Sequence, residues 1–129
     1  MRTVSTPDAP APAGHYSQAV VHGGLVFVAG QLPLDPRTGT PVGGADDVAG
    51  QTRQVLRNVG AILEAAGSGL DRLVSLTVYV TSRSHWTIVN ATLAEMLGAH
   101  RPARAVIPVP ELRPGCLIEV QAVAAAGAG

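Results

Sequence analysis

Leu73-Val74-Ser75-Leu76-Thr77-Val78-Tyr79-Val80-Thr81 is the stretch on which the fold turns. Successive side chains of a strand point to opposite faces of a sheet. Val74, Leu76, Val78 and Val80 then share one face and Ser75, Thr77 and Tyr79 the other, which predicts a strand packed on one side. On its N-terminal side the period changes. From Asp46, the residues Val48, Val55, Leu56, Val59, Ile62, Leu63 and Ala66 recur at three- and four-residue steps, the pattern of an amphipathic helix capped by Asp46 or Asp47 and closed at Gly67. On the C-terminal side a second helix is expected from a Ser84 cap to Leu97, ended by Gly98, with Trp86, Val89, Leu93, Met96 and Leu97 as its stripe.

Two apolar bursts, Ala19 to Val21 and Leu25 to Ala29, flank His22-Gly23-Gly24 and read as a hairpin. Two further strands fit Ala103 to Val109 and Cys116 to Ala124. The order is β-β-α-β-α-β-β, an α+β plan in which two helices cover one face of a single sheet. Pro33, Pro36, Gly39, Pro41, Gly43 and Gly44 make Leu32 to Gly44 a loop, with room for a short strand at Pro41-Val42. Residues 1–13, with Pro7, Pro10 and Pro12, read as an extended arm outside the core, and 125–129 as a fraying tail. The length of 129 residues fits one domain, 1–129.

The bare sheet face matters, because it carries Ser75, Thr77 and Tyr79 and, in the last strand, Glu119 and Gln121. A mixed face on so small a chain is either a solvated surface or the seat of a partner subunit.

Composition removes several chemistries. There are nine arginines and no lysine, so neither an internal aldimine nor a P-loop lysine is available. The single cysteine, Cys116, excludes an intrachain disulfide and a multi-cysteine zinc site. His15, His22, His85 and His100 lack HxxxH or HxH spacing, and the glycines form no GxGxxG. Net charge is zero with the arginines scattered, so neither nucleic acid nor an anionic membrane is an expected partner. The N-terminus lacks an uninterrupted apolar h-region and no stretch approaches the roughly 18 apolar residues of a membrane span, so a cytoplasmic location is the expectation.

Chemistry is carried by polar residues set in apolar stretches. Arg104 lies between Ala103 and Ala105 in a predicted strand, where a guanidinium needs a partner or a cavity, and its planar fork suits a small carboxylate ligand. The competing reading is a structural ion pair with Glu119. Glu119 is the one acid of the last strand; burial or a nearby arginine would set its pKa, and it could deprotonate or orient a water. Asn90 falls on the expected buried stripe of the second helix and needs a hydrogen-bond partner there.

Taken in order, Gly14-His15-Tyr16-Ser17-Gln18-Ala19, Phe27 to Gly39, Gln51 to Asn58, Val89-Asn90, Arg101-Pro102-Ala103-Arg104 and Ile118 to Ala122 resemble the RidA (YjgF-like) family of enamine/imine deaminases. The resemblance runs from about Pro12 to Ala124. It implies a chorismate-mutase-like α+β fold, a homotrimer with three sites at its subunit interfaces, and hydrolysis of reactive 2-imino acids to 2-keto acids and ammonia without metal or organic cofactor. Residue by residue, it makes Arg104 the substrate-carboxylate arginine and Glu119 the acid that positions the attacking water. Tyr16 and Asn90 would line the pocket, and Ala29, Gly30 and Val106 would meet the substrate, the last two through their backbones.

Some positions depart from the family pattern. Ala29 stands where serine is frequent, His15 where proline is usual, and Val106 where some members carry cysteine. Pro108 and Pro110 stiffen the segment after Arg104. These differences bear on substrate range more than on reaction class. Beside a general imine deaminase stand a specialised imine or enamine hydrolase of a biosynthetic pathway and a non-catalytic keto-acid-binding or chaperone-like trimer. Ribonuclease activity, reported for some relatives, finds no basic patch or histidine pair here.

Overall fold

A computed structural model describes residues 1–127. Six strands and two α-helices follow the order β1 (Arg2–Val4), β2 (Ala19–His22), β3 (Leu25–Gln31), α1 (Val48–Ala65), β4 (Leu73–Val80), α2 (Trp86–Leu97), β5 (Ala103–Pro108) and β6 (Ile118–Ala125). They form one mixed sheet in the order β1-β2-β3-β6-β4-β5. Only β4 and β5 run parallel, joined by the α2 crossover; the other pairs are antiparallel. The expected α+β plan with both helices on one face is therefore present.

The core lies between that face and the helices. Val55, Leu56, Val59, Ile62 and Leu63 of α1 pack with Val26 and Val28 of β3, Leu76, Val78 and Val80 of β4, and Ile118, Val120, Ala122 and Ala124 of β6. Helix α1 starts as expected: the Asp47 side chain accepts from the Gly50 N–H at 3.0 Å. Beyond its end, Gly67 takes a φ of +80°, where a side chain would be strained. On the outer surface the Arg53 guanidinium clasps Glu95 of α2 with contacts of 2.7 and 3.1 Å, though exposed pairs of this kind add little stability.

Several expectations are corrected. Leu73, not Val74, joins the packed face of β4. The pairing with β6 advances two residues, Leu73 to Ser75, against one, Ala124 to Val123, so Val74 is the extra residue of a β-bulge and stands 47% exposed. The first residues are not outside the core. Arg2–Val4 pair with Ala19–Val21, and Val4 and Ala9 are buried, because the Gln18 amide fastens the segment down through the Thr6 N–H and the carbonyls of Thr6, Ala9 and Pro10. At the other end β6 continues through Ala125, and the Ala126 N–H donates to the Gly24 carbonyl; of the expected fraying tail, 128 and 129 lie outside the described residues. The 32–44 loop holds one bridge, Leu34 to Pro41.

Helix α2 begins later than expected. The Ser82 hydroxyl accepts from the Ser84 N–H, stabilising a 3-10 turn over Arg83–His85, and the α-helix proper starts at Trp86. Its buried residues are Val89, Thr92 and Leu93, so Trp86, expected in the stripe, is turned off it and is 47% exposed. No helix among the described residues is long and apolar enough to cross a membrane.

The bulge separates two neighbouring residues energetically. Leu76→Ala, which empties a fully packed site, should cost about 2–5 kcal/mol in urea denaturation, whereas Val74→Thr should stay within about 0.5 kcal/mol. An equal loss at both positions would place Val74 in the core and contradict the bulge.

Candidate functional site

The two residues expected to carry chemistry sit on opposite faces of the sheet. Arg104 is in register with Leu76, whose side chain packs in the core, so the guanidinium rises on the helix side. There its Nη1 donates to Asn90 Oδ1 of α2 at 2.7 Å, and its Cζ stands 6.0 Å from the centroid of the Trp86 ring. Trp86 and Asn90 are one helical turn apart and flank the same side of α2, which is why both reach one guanidinium. Asn90 is thus exposed beside the β5 edge, about a quarter turn round from the buried Val89, and not in the core as expected. Its partner requirement is met by Arg104.

Glu119 is in register with Tyr79, and both point to the face the helices leave bare. Burial pushes its carboxyl above the ordinary glutamate value of 4.5, and no hydrogen bond or cation counters that effect. Its position depends on Gly30. Where β3 meets β6, a bulge between Val28 and Gln31 brings the Gly30 backbone under the Glu119 side chain, and a Cβ at residue 30 would run into the carboxylate oxygen. Ala29 beside it is tied at both ends: its N–H donates to the Gln18 carbonyl, and its own carbonyl accepts from Gln31 Nε2.

The structure therefore joins Arg104 with Asn90, and Glu119 with Gly30, as two separate groupings on opposite faces. Among the described residues no carboxylate lies within ion-pair distance of Arg104, so the Arg104–Glu119 pair weighed from sequence does not form within this chain. Val106 is part-buried on the same side of β5 as Arg104, in register with Val78. Tyr16 is half-exposed, its hydroxyl accepting from the Ala13 N–H at 3.3 Å. The Cys116 thiol is buried and pushed up from its usual pKa by desolvation, which suits packing and not nucleophilic work.

Sequence reasoning missed the residues that hold this frame. Fully buried Gln51 donates to the carbonyls of Val42 and Gly115 and accepts from the Leu117 N–H, fixing the approach to β6 two residues before Glu119. Asn58 donates to the carbonyls of Leu32 and Leu34, pinning the chain just after Gly30. Both are polar residues on the apolar stripe of α1, and that misfit was the available signal.

Two helices on one face of this sheet, with an exposed arginine on that side and a part-buried glutamate on the other, define a class that comparison identifies. Residues 6–126 match the family model described as Endoribonuclease L-PSP, and the chain belongs to that YjgF/RidA family. It is 45% identical over 121 residues to a RutC family protein of Pyrococcus horikoshii, covering 94% of each chain. It is 40% identical over 126 residues to the 2-iminobutanoate/2-iminopropanoate deaminase of Salmonella typhimurium, covering 95% of this chain and 96% of that one. The crystal structure of RidA from an Antarctic Psychrobacter species superposes with a TM-score of 0.91 at 36% identity, over 97% of this chain and 99% of that one.

The raised Glu119 carboxyl has a consequence for stability. A carboxyl whose pKa is higher folded than unfolded favours folding in its protonated form, an advantage present below about 4.5 and lost as the pH rises through the raised value. Glu119→Gln, neutral throughout, should therefore melt above the unsubstituted protein at neutral pH, with the difference closing in acid. Thermal melts across that range check this, and a lower melting temperature for Glu119→Gln at neutral pH would contradict it.

Proposed function

We propose that this protein hydrolyses 2-imino acids to 2-keto acids and ammonia, at sites where Arg104 of one copy meets Glu119 of a neighbouring copy in a homotrimer. The observation that carries the reading is Arg104 itself. Its guanidinium is held by Asn90, a neutral acceptor, so its positive charge stays available for a ligand carboxylate. Some relatives at about 40% identity bear the name of this deaminase, which supports the same reaction class.

The chemistry asked of the protein is modest. A protonated imine is already electrophilic at C2, so holding it and aiming one water supply most of the catalysis. With the substrate carboxylate on Arg104, the ionised Glu119 removes a proton from water as the water oxygen bonds to C2, and the C=N electron pair moves to nitrogen. Glu119 then returns that proton to nitrogen. The C–N bond breaks, C2 becomes a carbonyl, and the hydroxyl proton leaves with the nitrogen as ammonium. Nothing is oxidised or reduced, and no lysine is required.

Glu119 and Arg104 cannot face each other within one chain, which is the argument for the neighbouring copy. The bare face also carries exposed Phe27 and Ile107 beside Val20, Val123 and Tyr79, an apolar surface suited to contact between subunits. Gly30 allows the Glu119 carboxylate to lie close over the β3 bulge, where a water could be held against it.

Purified protein should accelerate the loss of 2-iminopropanoate or 2-iminobutanoate made in situ by an amino-acid oxidase. Arg104→Ala should lower kcat/KM by about 10- to 100-fold, the loss of one charge-assisted hydrogen-bonded contact. A decay no faster than in buffer would overturn the proposal. Gly30→Ala provides an independent check. The protein should still fold, because the Glu119 side chain can swing aside, but a misplaced carboxylate should reduce kcat by about a hundredfold. Full activity in a folded Gly30→Ala protein would remove Glu119 from the reaction.

A further inference from the structure

Arg104 sits midway along a groove between α2 and β5, and the groove opens into a cavity on either side of it. Toward the C-terminal end of α2, a cavity of about 560 Å³ is lined by Leu97, Gly98, His100 and Arg101, with Arg104 at its boundary. Toward the N-terminal end, a second cavity of about 540 Å³ is lined by Val80, Arg83, Trp86, Thr87, Val106 and Pro108. The deaminase reading uses Val106 at its edge and Trp86 beside Arg104, but leaves Arg83 and the body of this second cavity without a role.

The two ends differ in what they would accept. The first cavity also carries a guanidinium, Arg101, and no carboxylate, but it lies against the last carbonyls of α2, the negative end of the helix dipole, which opposes a bound anion, and His100 Nε2 is engaged with the Leu73 carbonyl at 2.8 Å. The second has a floor of Val80, Val106 and Pro108 and a rim bearing a guanidinium, an indole and a hydroxyl, and no carboxylate lines it. Arg83 has no ion-pair partner among the described residues. Arg83, in the 3-10 turn ahead of α2, shares this cavity with Trp86 and Thr87 of the first turn of α2 and with Val106 and Pro108 of β5, and Asn90 follows Trp86 one helical turn on toward Arg104. The indole therefore borders Arg104 and also lines the cavity that holds Arg83.

Resting on the deaminase reading, the geometry points to a side-chain subsite at Arg83 and Trp86 that selects 2-imino acids whose side chain ends in a second carboxylate. Arg104 takes the carboxylate next to the reacting carbon. The aliphatic part of the side chain runs over Val106 and the edge of Trp86, and the terminal carboxylate meets Arg83 near the positive end of α2. Arg83 and Trp86 are specificity-determining residues in this assignment, with no part in the bond-making steps.

The test reads binding and turnover separately. Titration calorimetry with 2-oxoglutarate and with pyruvate, product analogues with and without the second carboxylate, should show tighter binding of the dicarboxylate. Arg83→Ala should reduce that preference by about tenfold, and Arg83→Lys should retain part of it. The same ratio should appear in kcat/KM for the corresponding imines generated in situ. Equal affinity for both acids, or a preference unchanged by Arg83→Ala, would overturn the subsite. If neither imine is hydrolysed faster than in buffer while 2-oxoglutarate still binds preferentially through Arg83, the deaminase reading fails and the subsite stands. Arg83 is exposed, so circular dichroism of both variants should match that of the unsubstituted protein.

Discussion

A strand shows each residue to one face of its sheet only, and this constraint decides how the molecule can work. On β5 the register with Leu76 puts Arg104 on the helix side; on β6 the register with Tyr79 puts Glu119 on the bare side. No adjustment of side-chain rotamers brings the two together through a sheet whose core face is closed by Val78, Val80, Ile118 and Val120. A reaction that uses both groups needs a second copy of the chain. The uncovered face, with Phe27 and Ile107 exposed around the Glu119 position, is suited to receive one.

The remaining frame holds Arg104 and Glu119 each in place. Asn90 and Trp86 orient Arg104 from one side of α2, and the absence of a side chain at Gly30 gives Glu119 its place over the β3 bulge. Behind them, three buried amides perform the backbone work that strands and helices leave undone. Gln18 fastens residues 6–10, Gln51 joins the 42 and 115–117 segments, and Asn58 secures the carbonyls that follow β3. Each such amide would be costly if unpaired, and pairing each with several backbone groups specifies one loop arrangement.

Much of this was legible in the sequence where periodicity is strong. The α1 stripe, its Asp47 cap and Gly67, the Gly23-Gly24 hairpin and the polar face of β4 all appear as their patterns predict. The misreadings have local causes. One inserted residue in β4 exchanged Leu73 and Val74 between faces, and in α2 the buried line runs through Val89, Thr92 and Leu93, which leaves Trp86 and Asn90 on the flank that faces β5. The N-terminal segment resembled an arm because its anchor, Gln18, lies outside it and acts through hydrogen bonds that carry no period. Arg104 and Glu119 stood out as charges among apolar neighbours. That they face opposite ways follows from the β4–β5 and β4–β6 registers, which neither strand encodes alone.

The claim that the site is shared between copies is tested most directly by mixing chains. Arg104→Ala and Glu119→Gln proteins, each first assayed alone for its residual rate, are unfolded together in equal amounts, refolded and assayed for imine hydrolysis. In a closed ring in which each site takes Glu119 from one copy and Arg104 from the next, random assembly restores about a quarter of the unsubstituted rate. A mixture no more active than the two variants assayed separately would contradict the account.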